Sequence, residues 1–159
     1  MTGSADVVFS RVDAGSTEAR WALTQYFEEL DRRFVGGFQT DEALDDATPS
    51  FNPPSGLFAI ARIGDFVVGC GGVQWIDAAT AEIRRMWVDS DRRGIGLGKQ
   101  LLGHLEGEAR SLGRTRVVLD TNACLTEAIS MYRTLGYHDI ESYNDNPYAH
   151  HWFAKTLEA

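Results

Sequence analysis

Apolar positions early in the chain recur at helical spacing: Trp21-Ala22, Tyr26-Phe27, Leu30 and Phe34 fall on one stripe. Ser16 precedes them as an N-cap residue, so the pattern predicts a helix starting there, after a short strand at residues 6–12. Core packing accounts for most of the stripe, with contact of one of its aromatics to a ligand as the alternative. Between residues 35 and 56 the periodicity lapses into an acidic stretch (Asp41, Glu42, Asp45, Asp46) and then Phe51-Asn52-Pro53-Pro54. A short helix at 41–47 is the most regular structure expected there. A segment this long without its own pattern is usually a functional lid or a disordered segment.

Three strand-like runs follow. Residues 57–62 and 66–75 are separated by the hairpin signal Ile63-Gly64-Asp65, and 80–88 comes after Asp77-Ala78-Ala79. Gly69, Gly71 and Gly72 inside the second run predict a bulge or a close backbone approach. After Val88, helix and strand alternate: a glycine-rich turn opening a helix to about Leu112, a strand at 116–121, a helix at 126–135, and a strand at 137–140. Gly136 suits the C-terminal cap of the second helix. A last alternating run covers 149–157. The order predicts an α/β fold with a mixed sheet and helices on its faces, as one domain over 1–159: an antiparallel meander followed by a βαβ unit.

Composition narrows the function classes. The chain has 159 residues, 43% of them apolar, enough to close one core. No run approaches the roughly 18 apolar residues of a membrane-spanning helix, and the first six residues have neither a basic nor an apolar region, so a cytoplasmic chain without a membrane partner is expected. Cys70 and Cys124 lack metal-type spacing to each other or to His150-His151, so no metal is expected. The net charge of −8 argues against a nucleic-acid partner. Against that background, Arg84, Arg85, Arg92, Arg93 and Lys99 crowd into sixteen positions interleaved with glycines.

Those glycines form the turn Arg93-Gly94-Ile95-Gly96-Leu97-Gly98-Lys99, which leaves a strand and opens a helix. Successive backbone N–H groups and the positive end of the helix dipole suit a pyrophosphate. Two familiar phosphate-binding patterns fail here. A P-loop needs Ser or Thr after Gly98-Lys99, where Gln100 stands, and a glycine at Arg93; a dinucleotide fingerprint needs a third glycine where Lys99 or Leu101 stands.

Arg93-x-x-Gly96-x-Gly98 resembles the [Q/R]-x-x-G-x-[G/A] signature of the GNAT superfamily of N-acetyltransferases. The preceding Arg85-Met86-Trp87-Val88-Asp89 and the following Leu101, Leu102, Leu105 and Ala109 fit that context. Ala128-x-x-x-Tyr132 and Leu135-Gly136-Tyr137 resemble the family's A-x-x-x-Y and L-G-[FY] patterns. The resemblance spans residues 57–137. It implies a V-shaped opening between the fourth and fifth strands, with acetyl-coenzyme A as co-substrate. Pantetheine would lie against Met86, Trp87 and Val88, and the pyrophosphate on Arg93, Gly94, Ile95, Gly96, Leu97, Gly98 and Lys99. Many relatives hold the coenzyme with an asparagine seven positions before the tyrosine. Leu125 stands there, and Asn122 is the nearest substitute.

The same resemblance implies two catalytic residues. Tyr132 stands where the family places a thiolate-protonating tyrosine, although it also shares a helical stripe with Leu125, Ala128, Ile129 and Leu135. Glu82, eleven positions before Arg93, matches the spacing of a catalytic glutamate; an ion pair with Arg84, two positions along one strand face, is its structural alternative. The acceptor pocket is expected from residues 35–56 and from Tyr143-Asn144-Asp145-Asn146-Pro147-Tyr148-Ala149-His150-His151-Trp152, with Trp75, Tyr148 and His150 as contacts. The expected reaction is acetyl transfer to a primary amine of a small molecule or peptide in a ternary complex, and the acidic surface is compatible with a cationic amine. Transfer to a hydroxyl, a longer acyl group and a non-catalytic acyl-coenzyme A sensor are the alternatives. The sequence is compatible with a homodimer.

Overall fold

The computed structural model describes residues 6–38, 48–92 and 96–157. Ser16 caps helix α1 (Thr17–Arg33): its extended backbone lets its hydroxyl accept from the Ala19 N–H at 3.2 Å. Glu18 in the first turn and Arg32 and Arg33 in the last turn match the helix dipole. Strand β1 (Val7–Val12) precedes α1, and a 3-10 turn at Thr48–Phe51 leads into β2 (Gly56–Ile63). The helix expected at 41–47 lies outside the described residues.

β2, β3 (Phe66–Trp75) and β4 (Thr80–Val88) form the meander, and β1 adds to its outer edge. Helix α2 (Leu97–Ser111), β5 (Arg116–Thr121), helix α3 (Thr126–Thr134), β6 (His138–Asp139) and β7 (His151–Thr156) complete the order β1-β2-β3-β4-β5-β7-β6. β4 and β5 are parallel, and every other pair is antiparallel.

Apolar cores lie on both sheet faces. On one face α1 brings Leu23, Phe27 and Leu30 onto Phe58, Ile60 and Trp87; on the other, α2 and α3 bring Leu101, Leu105, Ile129 and Tyr132 onto Ile83, Leu119 and Phe153. The glycines of β3 permit this double covering. A Cβ on Gly71 would stand 2.5 Å from Leu105 Cδ1, and one on Gly72 2.6 Å from Phe51 Cδ1, so each glycine admits a side chain that could not otherwise seat.

Two irregularities open the sheet. Cys70 pairs with Trp87 but Gly72 pairs with Arg84, leaving Arg85 and Met86 together opposite Gly71. Arg85 takes a left-handed conformation at φ 59°. Further along, β5 pairs with β4 only over Thr80–Glu82 and Arg116–Val118; beyond that the strands part. β7 stays paired with β5 along Arg116–Thr121, so the parting falls between β4 and β5 alone.

Candidate active site

A cavity of about 660 Å³ occupies the gap between β4 and β5. One end is walled by Met86, Trp87, Val88 and by Gly96, Leu97, Gly98 and Lys99 at the start of α2. Gly96 is the N-cap at φ 82°, a conformation that favours glycine, and no described residue beyond its chain neighbours lies within 4 Å of its Cβ position. The leading N–H groups of α2 therefore begin at the cavity wall, an arrangement that suits phosphate oxygens. Gly98 packs closely, with its Cβ position 3.3 Å from Met131 Sδ. Arg93, Gly94 and Ile95 lie outside the described residues.

Tyr132 lines the same cavity from α3. Its ring packs 5.7 Å from Tyr137 and 6.0 Å from Phe153, and burial raises its phenol well above the usual pKa. Among the described residues its hydroxyl makes no hydrogen bond. The other end of the cavity is formed by the α1 side of the sheet: Tyr26, Phe34, Phe38, Arg84, Asp120, Asn146 and Tyr148. The bulge matters here. Because Arg85 is the extra residue, it joins its neighbour Arg84 on this side, its guanidinium 4.9 Å from the Phe27 ring centroid and 5.2 Å from that of Phe51.

Glu82 sits one step before the strands part, 3% exposed and behind the cavity wall rather than in it. Tyr143 donates its hydroxyl to Glu82 Oε2 at 2.6 Å, and the Arg84 guanidinium lies 3.6 Å from Oε1. Burial raises the Glu82 pKa above the usual carboxylate value, against the opposing pull of the Tyr143 hydrogen bond and the Arg84 charge. The ion pair expected as its structural alternative is thus formed, and a raised carboxylate beside a cavity is also what proton transfer near neutral pH needs. Next to it on β5, Asp120 accepts from Asn144 Nδ2 at 2.6 Å and Asn146 Nδ2 at 3.2 Å, while Asn144 Oδ1 accepts from Trp152 Nε1 at 3.0 Å.

Three expected contacts need correction or narrowing. Trp75 pairs with Ala81 at the far end of β3–β4 and stacks under Arg114, 4.2 Å from its ring centroid, so the meander carries it away from the cavity. His150 is exposed and is not a wall residue; its Nδ1 accepts from the Ala123 N–H at 3.0 Å. The expected face alternation from 149 onward fails because β7 begins only at His151. Asn122 does reach the wall, but its side chain holds the loop: Nδ2 donates to the Tyr148 carbonyl at 2.7 Å and Oδ1 accepts from the Cys124 N–H at 2.9 Å. Tyr148 lines the cavity as expected, packed against Phe34 and Phe38 at 5.5 and 4.7 Å.

Asp120 and the clasp of Tyr143 on Glu82 have no counterpart in the sequence reading, and Arg84 entered it as a member of the basic cluster and as the ion-pair partner of Glu82, not as part of the cavity wall. The partners of Asp120 and Glu82 in these bonds lie 24 and 61 positions away, and no short pattern links them.

Comparison with known proteins agrees with this architecture. Residues 22–137 match the model of the acetyltransferase (GNAT) family. An IAA acetyltransferase from Azospirillum brasilense is 34% identical over 122 residues, covering 74% of this chain and 78% of its own. A GNAT-family acetyltransferase of Staphylococcus aureus has the same fold, with a TM-score of 0.81 at 15% identity over 96% of this chain and all of its own. Another, from Elizabethkingia anophelis with acetyl-CoA bound, superimposes with a TM-score of 0.71 at 17% identity, covering 95% of this chain and 98% of its own. With the glycine turn at the head of α2, the parted β4 and β5, and Tyr132 in the gap between them, the chain belongs to the GNAT family of acetyltransferases.

Proposed function

We propose that the protein transfers the acetyl group of acetyl-coenzyme A to a primary amine of a small molecule or peptide, by direct attack in a ternary complex. One observation carries the reading: Tyr132 lines a cavity that also contains the start of α2, and its hydroxyl makes no hydrogen bond among the described residues. A tyrosine buried only for packing usually finds a partner for its hydroxyl.

Gly96, Leu97, Gly98 and Lys99 would take the phosphates, and Met86–Val88 would lie along the pantetheine arm. Asn122 serves the loop instead. Acetyl-coenzyme A supplies an activated thioester: the amine nitrogen bonds to its carbonyl carbon, the carbon–sulfur bond breaks, and the sulfur leaves as thiolate. Tyr132 donates its proton to that sulfur; burial, which disfavours the phenolate, keeps the phenol protonated until the thiolate forms. The amine's departing proton passes through water to Glu82, whose raised pKa suits the task. The proton taken up by Glu82 then returns through water to the Tyr132 phenolate, which restores both groups, and the products are an amide and free thiol.

Tyr132→Phe tests this directly, because it keeps the ring and its packing while removing the donor. Turnover should fall by roughly 10²-fold, with acetyl-coenzyme A affinity by calorimetry nearly constant. Wild-type turnover in the folded variant would return Tyr132 to a packing role.

A further inference from the structure

The cations at the acceptor end of the cavity differ in how far their neighbours occupy them. Arg33 is bound on every side, by Glu29 at 3.2 Å, by Glu127, and by the Cys124 carbonyl at 3.1 Å. Arg85 lies over the rings of Phe27 and Phe51. Among the described residues Arg84 has one carboxylate within ion-pair distance, Glu82, at 3.6 Å, and that distance exceeds a good hydrogen bond. Its side chain is 37% exposed and forms part of the wall. A guanidinium carries five N–H donors in a planar fork that matches a carboxylate with two parallel bonds. Arg84 is thus a fork in the cavity wall whose one ion-pair contact among the described residues is the long one to Glu82.

Across the parted strands, Asp120 feels the charge of Arg84 without being ion-paired to it. Each Asp120 oxygen accepts one amide N–H, from Asn144 or Asn146, which fixes the carboxylate and leaves lone pairs for a further donor. Beside the two charges, Phe34, Phe38 and Tyr148 pack together at 4.7 to 5.9 Å and present an apolar wall.

A fixed positive fork, a fixed negative carboxylate and an apolar wall meet in one compartment. On the reading that the site acetylates amines, we infer that its acceptor is an α-amino acid with a large apolar side chain. Its carboxylate lies on Arg84, its amino group at Asp120 and its side chain against Phe34, Phe38 and Tyr148. A cationic diamine, which the acidic composition alone would favour, meets repulsion at Arg84. An amine without a carboxylate leaves the fork with only its long contact to Glu82 and no anion from the acceptor. Acetylation would then give an N-acetyl amino acid and free coenzyme A thiol, with the amine's proton released through Glu82.

The test uses the full chain with acetyl-coenzyme A and four acceptors: L-phenylalanine, L-phenylalaninamide, phenethylamine and glycine. Product is identified by mass and rate by thiol release. kcat/KM for phenylalanine should exceed that for the amide and for phenethylamine by at least about 100-fold, the scale of a buried charge pair. It should exceed that for glycine by at least about tenfold, the scale of a buried apolar side chain. Arg84→Gln should collapse the preference for phenylalanine over phenethylamine to about tenfold or less, acting mainly through KM. Retained acetyl-coenzyme A affinity shows that the variant is folded. Equal use of phenylalanine and phenethylamine, equal use of glycine, or an unchanged preference in folded Arg84→Gln would overturn the inference. Acetylation of carboxylate-free amines alone overturns it while leaving amine acetylation standing. Tight coenzyme binding with no acceptor acetylated would remove both.

Discussion

On the α2–α3 side of the parted strands, Tyr132 is set among Ile129, Tyr137 and Phe153, with the turn Gly96-Leu97-Gly98 at its end. On the α1 side, Glu82, Arg84 and Asp120 are held by Tyr143, Asn144 and Asn146. Around Tyr132 the first side is mainly rings and aliphatic groups, with the Tyr132 hydroxyl unbonded among the described residues; the second is a network of charges and amides. The difference follows from the two tasks. A thiol leaving group and a pantetheine arm need shape and a proton, whereas an acceptor needs its charges recognised and its proton removed. If this division is correct, a change on one side should leave the other side's work intact.

The largest separation should come from Glu82→Gln. Burial raises the Glu82 pKa, so the ionised form that accepts a proton is lost as pH falls through a value above the usual carboxylate range. Wild-type turnover should therefore show an acidic limb displaced upward from that range. Glu82→Gln should lower turnover by roughly 10²-fold and abolish the limb. Higher pH should partly restore the rate, since more of the amine is then already neutral. Coenzyme affinity should not move. A pH–rate profile that overlays the wild-type curve would give the proton to water or to Asp120.

The smaller effect belongs to the other side. Gly96 adopts φ 82° with no described residue beyond its chain neighbours within 4 Å of its Cβ position, so Gly96→Val strains the backbone whatever the space around it. Acetyl-coenzyme A affinity should weaken by at least tenfold, about 1.4 kcal/mol, while the acidic limb of the pH profile stays in place. Unchanged affinity in the folded variant would remove the turn from the coenzyme site.

These two sides also differ in how far the sequence revealed them. The coenzyme side is built from contiguous residues: one turn between a strand and a helix, and one tyrosine at fixed spacing before Gly136. Such local patterns are readable because strand, turn and helix each constrain their own residues. The acceptor side is made by pairing β5 with β7, which brings Asp120 opposite Trp152 and folds Tyr143 back onto Glu82, 61 positions earlier. Composition and periodicity carry no trace of those meetings.

Trp75 illustrates the same limit. It occupies β3 as expected, but at the end where β4 and β5 are still joined, and only the strand register shows which end opens. The apolar stripe of α1 has two uses: Ala22 serves the core alone, while Tyr26, Phe27, Leu30 and Phe34 also line the cavity. Its spacing gave the helix face but not the point where that face runs past the edge of the packed sheet.

The central claim is that acetyl-coenzyme A binds in the gap between β4 and β5, against the head of α2. Backbone hydrogen exchange by mass spectrometry, with and without acetyl-coenzyme A, tests that location without assuming an acceptor. Exchange should slow in residues 84–88 and 96–102, while β1, at the sheet's far edge, exchanges at the same rate in both states. Protection that spares both of those segments, or that falls mainly on β1 and β2, would place the coenzyme elsewhere and contradict the account.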